Sequence, residues 1–464
     1  MSTEQQAVQT ALLRVLVGEL TGFVARVGMV DRAGTLLTPF QANPLPILRA
    51  DAAIDEAQTS LLRAVNEARF AESTLTAATL AYAEAERRAH EMTRGLGGLL
   101  GYGLGLLGPI AVQWLLTPLL AAITGIGIGA LRPGGAELLQ AGAAAWWAEH
   151  RDILSEPLTV ELVRAAIMGS DDALGGALHV PPALVLFLGD QGLGVTGVST
   201  TTALLLALAN GAGALREAPV TVTRTGTATG TVTAPTGLRD RLARVPHGVP
   251  HQVRVERYPV PGQDDRVEVF IGGTVDGSLF TGEQPWDMTS NVHGAAELQP
   301  ASLRAVREAL AEAGVSPGDR IAITGYSQGA LVGALVAASG DYDVDFLLEV
   351  AGPSGQVAVP DSVTHVRLDH TADLVTALGG DVQGAHTVQV RRDGVPADTG
   401  QTGPGQALPA HDYTFYLQTA ELADQSRHPE IRNAIEGANI PLRGAARGDA
   451  SDWLAERQVS DARE

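Results

Sequence analysis

One short segment constrains the fold of this chain more than any other: an apolar strand that runs through a Gly-x-Ser-x-Gly turn into a helix. The strand reads RIAIT over residues 320–324, the turn reads GYSQG over residues 325–329, and an Ala/Leu/Val-rich stretch follows. Glycines on both sides of the serine let such a turn close tightly and raise the hydroxyl above the sheet edge. The segment therefore predicts a nucleophilic Ser327 at the carboxyl end of a buried strand.

Strands and helices alternate through the rest of the carboxyl-terminal half. Apolar, β-branched strands are predicted at residues 252–258, 266–271, 320–324, 344–351, 362–368 and 387–391. Helices are predicted at residues 299–313, 328–338 and 413–424. This order is typical of an α/β domain with a mostly parallel sheet and its functional residues at the carboxyl ends of the strands. We assign residues 219–440 to this domain and residues 441–464 to a C-terminal tail.

A serine nucleophile needs a base to take its proton and an acid to orient that base, in the chain order serine, acid, histidine for this architecture. Two carboxylates follow the strand predicted at residues 362–368. Asp373 is favoured because it lies in the loop past that strand and precedes two aliphatic residues, Leu374 and Val375, which can anchor the loop in the core. Asp369 stays open as the alternative acid.

The base is sought among the histidines that follow the serine. His411 is favoured because it lies in a long Gly/Pro-rich loop after the last predicted strand and directly before a helix. From that place an imidazole can reach back to Ser327. His386 precedes a strand, which would put it at the opposite edge of the sheet, and His365 lies within a strand.

An oxyanion hole needs two backbone N–H groups that point at the developing negative charge. One is expected from Gln328, the residue after the nucleophile, and the other from the loop after an earlier strand. The strand predicted at residues 266–271 ends in Gly-Gly-Thr, and its glycines let the backbone approach a carbonyl group closely. Thr274 or Gly273 is therefore the expected second donor.

These motifs give residues 267–416 a resemblance to serine hydrolases of the α/β-hydrolase fold, nearest to the class three lipases. In that family a strand ending in Gly-Thr supplies the oxyanion loop, an Asp before two aliphatic residues supplies the acid, and a His before a Tyr-bearing helix supplies the base. Gly273-Thr274, Asp373 and His411 match in order, and the GYSQG turn is similar to that of cutinases. The resemblance implies an α/β-hydrolase sheet that cleaves an ester of a lipid or other acyl substrate, without metal or cofactor.

The amino-terminal region has a helical pattern. Apolar residues three and four positions apart predict a first helix, and a second helix follows a proline-rich turn. The second helix carries alanine at one repeated heptad position: Ala57, Ala64, Ala71, Ala78 and Ala85. Bulky side chains of the first helix would fill the groove that these alanines leave. We predict a helical hairpin over residues 1–94, with this groove as an alternative docking surface for a helical protein partner.

An uncharged stretch of 37 residues, 95–131, lies between Arg94 and Arg132. It is long enough to span a bilayer, but its glycines and prolines also suit buried helices of a soluble domain. Contact with a membrane and burial in the protein's own core therefore both stay open. We place the stretch in an apolar, Gly/Ala-rich helical region over residues 95–218. If it only brings the domain to an apolar interface, a fragment beginning near Val220 keeps esterase activity.

Composition limits which partners the protein can bind and which site chemistry it can use. The net charge of −20, from 32 basic and 52 acidic residues, argues against nucleic acid, which is bound mainly through a surplus of basic residues. The chain has no cysteine, so disulfides, thiolate metal sites and cysteine nucleophiles are excluded. The first residues do not have the pattern of a Sec signal peptide. A cytoplasmic location and export by a signal-less route both stay open.

A rival interpretation of the chain is non-catalytic. Tyr82 and Glu86 match the Y-x-x-x-D/E motif of type VII secretion substrates, which are themselves helical hairpins. On this interpretation the chain is a secreted or interaction protein, and its α/β part is an inactive scaffold. Labelling of Ser327 by a fluorophosphonate distinguishes the two interpretations.

Overall fold

The computed structural model describes residues 151–168, 215–225, 231–277, 281–384, 386–394, 408–445 and 447–458, with single positions at 59, 60, 63, 202, 206 and 210. The hairpin predicted over residues 1–94, the uncharged stretch 95–131 and the motif at residues 82–86 lie outside these ranges, apart from three of those single positions. Within the described ranges, no helix has both the length and the apolar character needed to cross a bilayer.

The described residues form one mixed sheet of nine strands: β1 (Val220–Thr225), β2 (Thr231–Val232), β3 (Val253–Tyr258), β4 (Arg266–Ile271), β5 (Arg320–Tyr326), β6 (Asp343–Val350), β7 (Thr364–His370), β8 (Val388–Arg392) and β9 (Gly448–Arg457). The order is β1-β9-β3-β4-β5-β6-β7-β8, and β2 also pairs with β9. Strands β4 to β8 are parallel, whereas β3, β9 and β1 pair antiparallel with their neighbours.

Helices connect and cover the strands. They are α1 (Arg151–Leu154), α2 (Pro157–Met168), α3 (Leu238–Leu242), α4 (Met288–Ala295), α5 (Ala301–Glu312), α6 (Gln328–Ser339), α7 (Leu374–Leu378), α8 (Tyr413–Asp424) and α9 (Pro429–Asn439). Short 3-10 helices occur at Pro409–His411 and Ile440–Leu442. The α/β class predicted for the carboxyl-terminal half is confirmed, and the predicted strands and helices of that half end within two residues of the observed ends.

Two apolar cores lie on opposite faces of the sheet. One contains side chains of α5 and α6, including Leu303, Val306 and Val332, packed on alternate residues of β4 and β5. The other contains side chains of α3, α8 and α9, including Leu242 and Ile431, packed on the remaining strand residues. Because both faces of the parallel strands are covered, all residues of β4 are buried, including the charged Arg266 and Glu268, which are ion-paired.

The sheet contains strands that lie before the first predicted strand and after the last one. Residues 441–464, assigned to a tail, contribute β9, which lies between β1 and β3 with Trp453 opposite Val253. Residues 220–236, which precede the first predicted strand, contain β1 and β2, which pair with β9 rather than with each other. Local pattern did not indicate these pairings because each joins segments more than 190 residues apart in the chain.

Candidate active site

Ser327 lies in the sharp turn between β5 and α6. Its φ of 56° and ψ of −121° are unusual for a residue that is not glycine, and its N–H donates to the Val350 carbonyl oxygen of β6 at 2.8 Å. The turn closes against the end of β4, since a methyl group at Gly329 would lie 2.2 Å from the Ile271 carbonyl oxygen. Only glycine fits at this position, so the GYSQG pattern reflects close backbone packing as well as a reactive serine.

His411 and Asp373 complete a chain of hydrogen bonds with the serine. The His411 Nε2 atom is 2.9 Å from the Ser327 Oγ atom, and its Nδ1 atom is 2.8 Å from the Asp373 Oδ2 atom. With the proton on Nδ1, the imidazole donates to the carboxylate and accepts from the serine hydroxyl. The structure thus brings together the three residues that the sequence singled out, from the ends of β5 and β7 and the turn before α8.

Asp373 is held by three donors and is fully buried. Its Oδ1 atom accepts from the Val375 N–H at 2.9 Å, which caps α7, and its Oδ2 atom accepts from the Tyr416 hydroxyl at 2.7 Å as well as from His411. Burial, followed by the charge of Asp373, raises the pKa of Tyr416 well above the usual range. The tyrosine therefore stays a neutral donor to the carboxylate.

The alternative acid and bases lie elsewhere. Asp369 is within β7 and pairs with Arg367, whose Nε is 2.9 Å from the Asp369 Oδ2 atom. His386 is exposed in the turn before β8. His365 is also within β7 and faces Glu349 at 2.9 Å. Their hydrogen bonds and ion pairs among the described residues do not include Ser327.

The backbone after β4, residues 272–276, is called the oxyanion loop below. Within it the N–H of Gly272 donates to Gln252, and those of Val275 and Asp276 donate to the Trp286 carbonyl oxygen. The N–H groups of Gly273 and Thr274 have no acceptor among the described residues. Thr274 and Gly273 are the two alternatives that the sequence offers for the second donor.

The oxyanion loop lies beside the nucleophile. A methyl group at Gly273 would be 3.0 Å from the Ser327 Cβ atom, whereas Thr274 is exposed and its hydroxyl oxygen accepts from Asn291 at 3.1 Å. Gln328 is the first residue of α6, so its backbone N–H has no acceptor within the helix. Gln328 thus follows Ser327 in the chain, and Gly273 lies beside Ser327 in space.

Aromatic side chains that the sequence analysis did not single out surround the base. The Tyr326 ring stacks at 5.3 Å on the His411 ring, and its hydroxyl donates to the His411 carbonyl oxygen. Tyr413 packs edge-on against Tyr326 and stacks on the exposed His247 at 4.2 Å. The face of the His247 ring that Tyr413 covers is desolvated, which lowers the pKa of His247 and favours its neutral form.

His370 supports the turn that carries the base. It stacks on Tyr416 with 3.7 Å between ring centres, and its Nδ1 atom is 2.7 Å from the Ala410 carbonyl oxygen. Its Nε2 atom is 2.8 Å from the Thr419 hydroxyl. In the sequence, these partners are indicated only by the Tyr-bearing helix after His411. Tyr413 and Tyr416 are one helical turn apart and therefore lie on the same face of that helix.

The arrangement can move a proton from a serine hydroxyl to an imidazole held by a buried carboxylate, which activates the serine as a nucleophile. In the part of the chain that the structure covers, no three His, Asp or Glu side chains are grouped as metal ligands. Comparison with protein-family models, with curated proteins and with solved structures found no match to this chain. The functional conclusion therefore depends on the geometry.

Proposed function

We propose that this protein is a serine hydrolase that cleaves a carboxylic ester. The observation that carries the proposal is the continuous chain Ser327 Oγ, His411 Nε2, His411 Nδ1 and Asp373 Oδ2, with links of 2.9 and 2.8 Å. It is supported by the unusual backbone of the serine and by the two N–H groups of the oxyanion loop that have no acceptor within the described ranges. The mixed α/β sheet is compatible with the α/β-hydrolase fold.

Acylation begins when the Ser327 Oγ attacks the ester carbonyl carbon while His411 Nε2 takes the hydroxyl proton. The carbonyl oxygen becomes an oxyanion, which accepts from the N–H of Gln328 and from that of Gly273 or Thr274. Asp373 stabilises the imidazolium through its bond to Nδ1. Collapse of the intermediate breaks the bond to the alcohol oxygen, and the alcohol leaves with the proton from Nε2.

Deacylation repeats these steps with water. His411 takes a proton from the water, the hydroxide attacks the acyl group on Ser327, and the carboxylic acid leaves as the serine recovers its proton. The chemistry is complete without a metal or cofactor. The likeness to class three lipases and cutinases makes a lipid or another acyl ester the proposed substrate.

A fluorophosphonate probe and a p-nitrophenyl ester test the proposal. The wild type should react with both, Ser327→Ala and His411→Ala should abolish turnover, and Asp373→Asn should lower it by about 10⁴-fold, as in serine proteases. Asp369→Asn and His386→Ala are the matched controls and should retain turnover, because Asp369 pairs with Arg367 and His386 is exposed in the turn before β8. A folded wild-type protein that neither reacts with the probe nor cleaves the ester would support the non-catalytic interpretation.

A further inference from the structure

Trp286 holds the oxyanion loop at both of its ends. Its indole Nε1–H donates to the Gly272 carbonyl oxygen at 2.9 Å, and its own carbonyl oxygen accepts from the N–H groups of Val275 at 2.8 Å and Asp276 at 3.1 Å. The side chain is fully buried. Only two residues of the loop lie between these anchors, and they are the two whose N–H groups have no acceptor in the described part of the chain.

The bond to Gly272 fixes the direction of one of those donors. A peptide group is planar and trans, so the carbonyl of Gly272 and the N–H of Gly273 lie in one plane and point in opposite directions. With the carbonyl held by Trp286, the Gly273 N–H has one direction only. Two successive glycines would otherwise leave this peptide free to rotate.

Trp286 is itself fixed by the segment around it. Asp287 pairs with Arg457 of β9 at 2.7 Å, and both side chains are fully buried. The carbonyl oxygen of Asp287 accepts from the Gln328 side chain at 3.3 Å. One short segment therefore contacts the oxyanion loop and the first residue of α6, which together provide the donors for the oxyanion.

We propose that Trp286 is a positioning residue for the oxyanion hole. Its indole N–H orients the peptide between Gly272 and Gly273, so that an N–H of the oxyanion loop points at the developing charge before substrate arrives. The inference depends on the proposed function, because it assumes that an oxyanion forms at Ser327. A donor fixed in advance stabilises the transition state without reorganisation during the reaction.

Trp286→Phe in the full chain removes the indole N–H and keeps an aromatic ring. Trp453→Phe is the matched control, because Trp453 is packed in the same core and its indole N–H donates to the Ser451 hydroxyl at 3.0 Å, away from the oxyanion loop. We expect Trp286→Phe to lower kcat about 10- to 100-fold with KM of the p-nitrophenyl ester unchanged, because a displaced donor weakens transition-state binding alone. The control should keep its kcat.

Inhibition by an alkyl boronic acid, which forms a tetrahedral adduct with the serine, provides the second measurement. Its affinity for Trp286→Phe should fall by the same factor as kcat/KM. If Trp286→Phe does not fold, replacing Trp286 with benzothienylalanine keeps the shape and removes only the donor. Equal kcat in this variant and in the wild type, or equal losses in Trp286→Phe and Trp453→Phe, would overturn the inference. A wild type without turnover would instead overturn the proposed function.

Discussion

The nucleophile and its acid–base pair are held in different ways. Ser327 is fixed by the backbone of the sheet, through its N–H bond to Val350 and the close packing of Gly329 on β4. Asp373 and His411 are fixed mainly by side chains outside the strands, above all Tyr416. Backbone packing tolerates almost no change, whereas side-chain supports can be weakened one at a time. The two halves of the site should therefore respond to substitution very differently.

The acid has a further support from the region before the sheet. Helix α2 packs on α7, the helix that Asp373 caps, through Val160 and Val163 against Leu374. The guanidinium of Arg164 donates to the Gly380 carbonyl oxygen at 2.6 Å, just past the end of α7. A segment of the chain more than 200 residues away thus braces the acid-bearing turn.

The largest effect is expected where the backbone of α6 packs directly on the backbone at the end of β4. Gly329→Ala places a methyl group 2.2 Å from the Ile271 carbonyl oxygen and 2.5 Å from that of Gly272, and neither atom can move without displacing β4 or the oxyanion loop. We expect ester turnover to be lost and the free energy of unfolding to fall by about 3 kcal/mol, the upper end for overpacking. Urea denaturation and a p-nitrophenyl ester assay measure the two.

Gly333→Ala in the same helix is the control. Its methyl group would meet only side-chain ends, the Ile323 Cγ2 atom at 3.0 Å and the Leu347 Cδ1 atom at 3.3 Å. The higher helix propensity of alanine, about 1 kcal/mol over glycine, offsets this crowding. Near-normal stability and turnover are expected. If both variants behaved alike, the backbone would not be the feature that fixes the nucleophile.

On the acid–base side, Tyr416→Phe should have a moderate effect. The change removes one of the donors to Asp373 Oδ2 and leaves the His370 N–H, which donates to the Tyr416 hydroxyl at 3.0 Å, without its acceptor. A hydrogen bond to a charged group contributes about 1.5–3 kcal/mol, so kcat should fall about 10- to 100-fold. Steady-state kinetics at pH 8 measures this.

Tyr413→Phe provides the comparison for that variant. Burial raises the pKa of Tyr413 to about 12, so it is also a neutral donor, but its hydroxyl bonds to the Leu242 carbonyl oxygen at 2.6 Å. Its loss leaves the bonds of Asp373 intact, and kcat should stay near that of the wild type. A larger loss in Tyr413→Phe than in Tyr416→Phe would mean that the aromatic packing around His411 matters more than the carboxylate bond.

The same contrast explains what the sequence could predict. The turn around Ser327 is formed by consecutive residues, so its strand, turn and helix can be predicted from local pattern. The acid and the base were assigned from chain order and loop position, since no local pattern brings Asp373 to His411. The partners that hold them could not be found in this way, because Tyr416, His370 and Arg164 contact them or their turns only after the sheet has formed.

The antiparallel strands show a similar limit. Strand β9 mixes buried residues with exposed and half-exposed ones and has few apolar side chains, so it resembles a polar tail when examined alone. Its place in the sheet is set by its register with β3 and by the pairing of Arg457 with Asp287. Neither feature has a local signature, and both join segments that are far apart in the chain.

A smaller effect is expected from the support that α2 provides. Arg164→Ala removes the bonds to the carbonyl oxygens of Gly380 and Thr376 but leaves Asp373 with all its own donors. We expect kcat to fall about 3-fold, because the acid shifts by less than the 1 Å that costs about 100-fold. Hydrogen exchange of α7 should become faster, and Arg164→Lys should recover part of the loss.

Arg391→Ala is the matched change at the same interface. Arg391 bonds Glu161 of α2 at 2.9 Å, with both side chains well exposed, and an exposed pair of this kind contributes little. Its kcat and exchange should match the wild type.

The contacts of α2 also revise the expectation for a fragment beginning near Val220. This fragment lacks Arg164, Val160 and Val163, so its activity should fall below that of the full chain rather than be retained.

The smallest effect concerns pH and His370. Burial is the main cause that lowers the pKa of His370 below its usual value, opposed by its bond to Ala410 and the charge of Asp373. The unfolded chain therefore binds a proton at this residue before the folded chain does. The stability that depends on neutral His370 is fully present above the unfolded pKa of about 6.5 and is lost as the pH falls towards the folded pKa.

His370→Gln removes this titration, so the decline of its unfolding free energy below about pH 6.5 should be shallower than that of the wild type. The variant also loses buried hydrogen bonds, which lowers its stability at every pH, and so the slope is the informative quantity. Urea denaturation at pH 8, 6.5 and 5 measures it. Parallel curves would show that His370 accepts a proton as readily in the folded protein as in water, and that Tyr416 and Ala410 hold the base without help from a neutral imidazole.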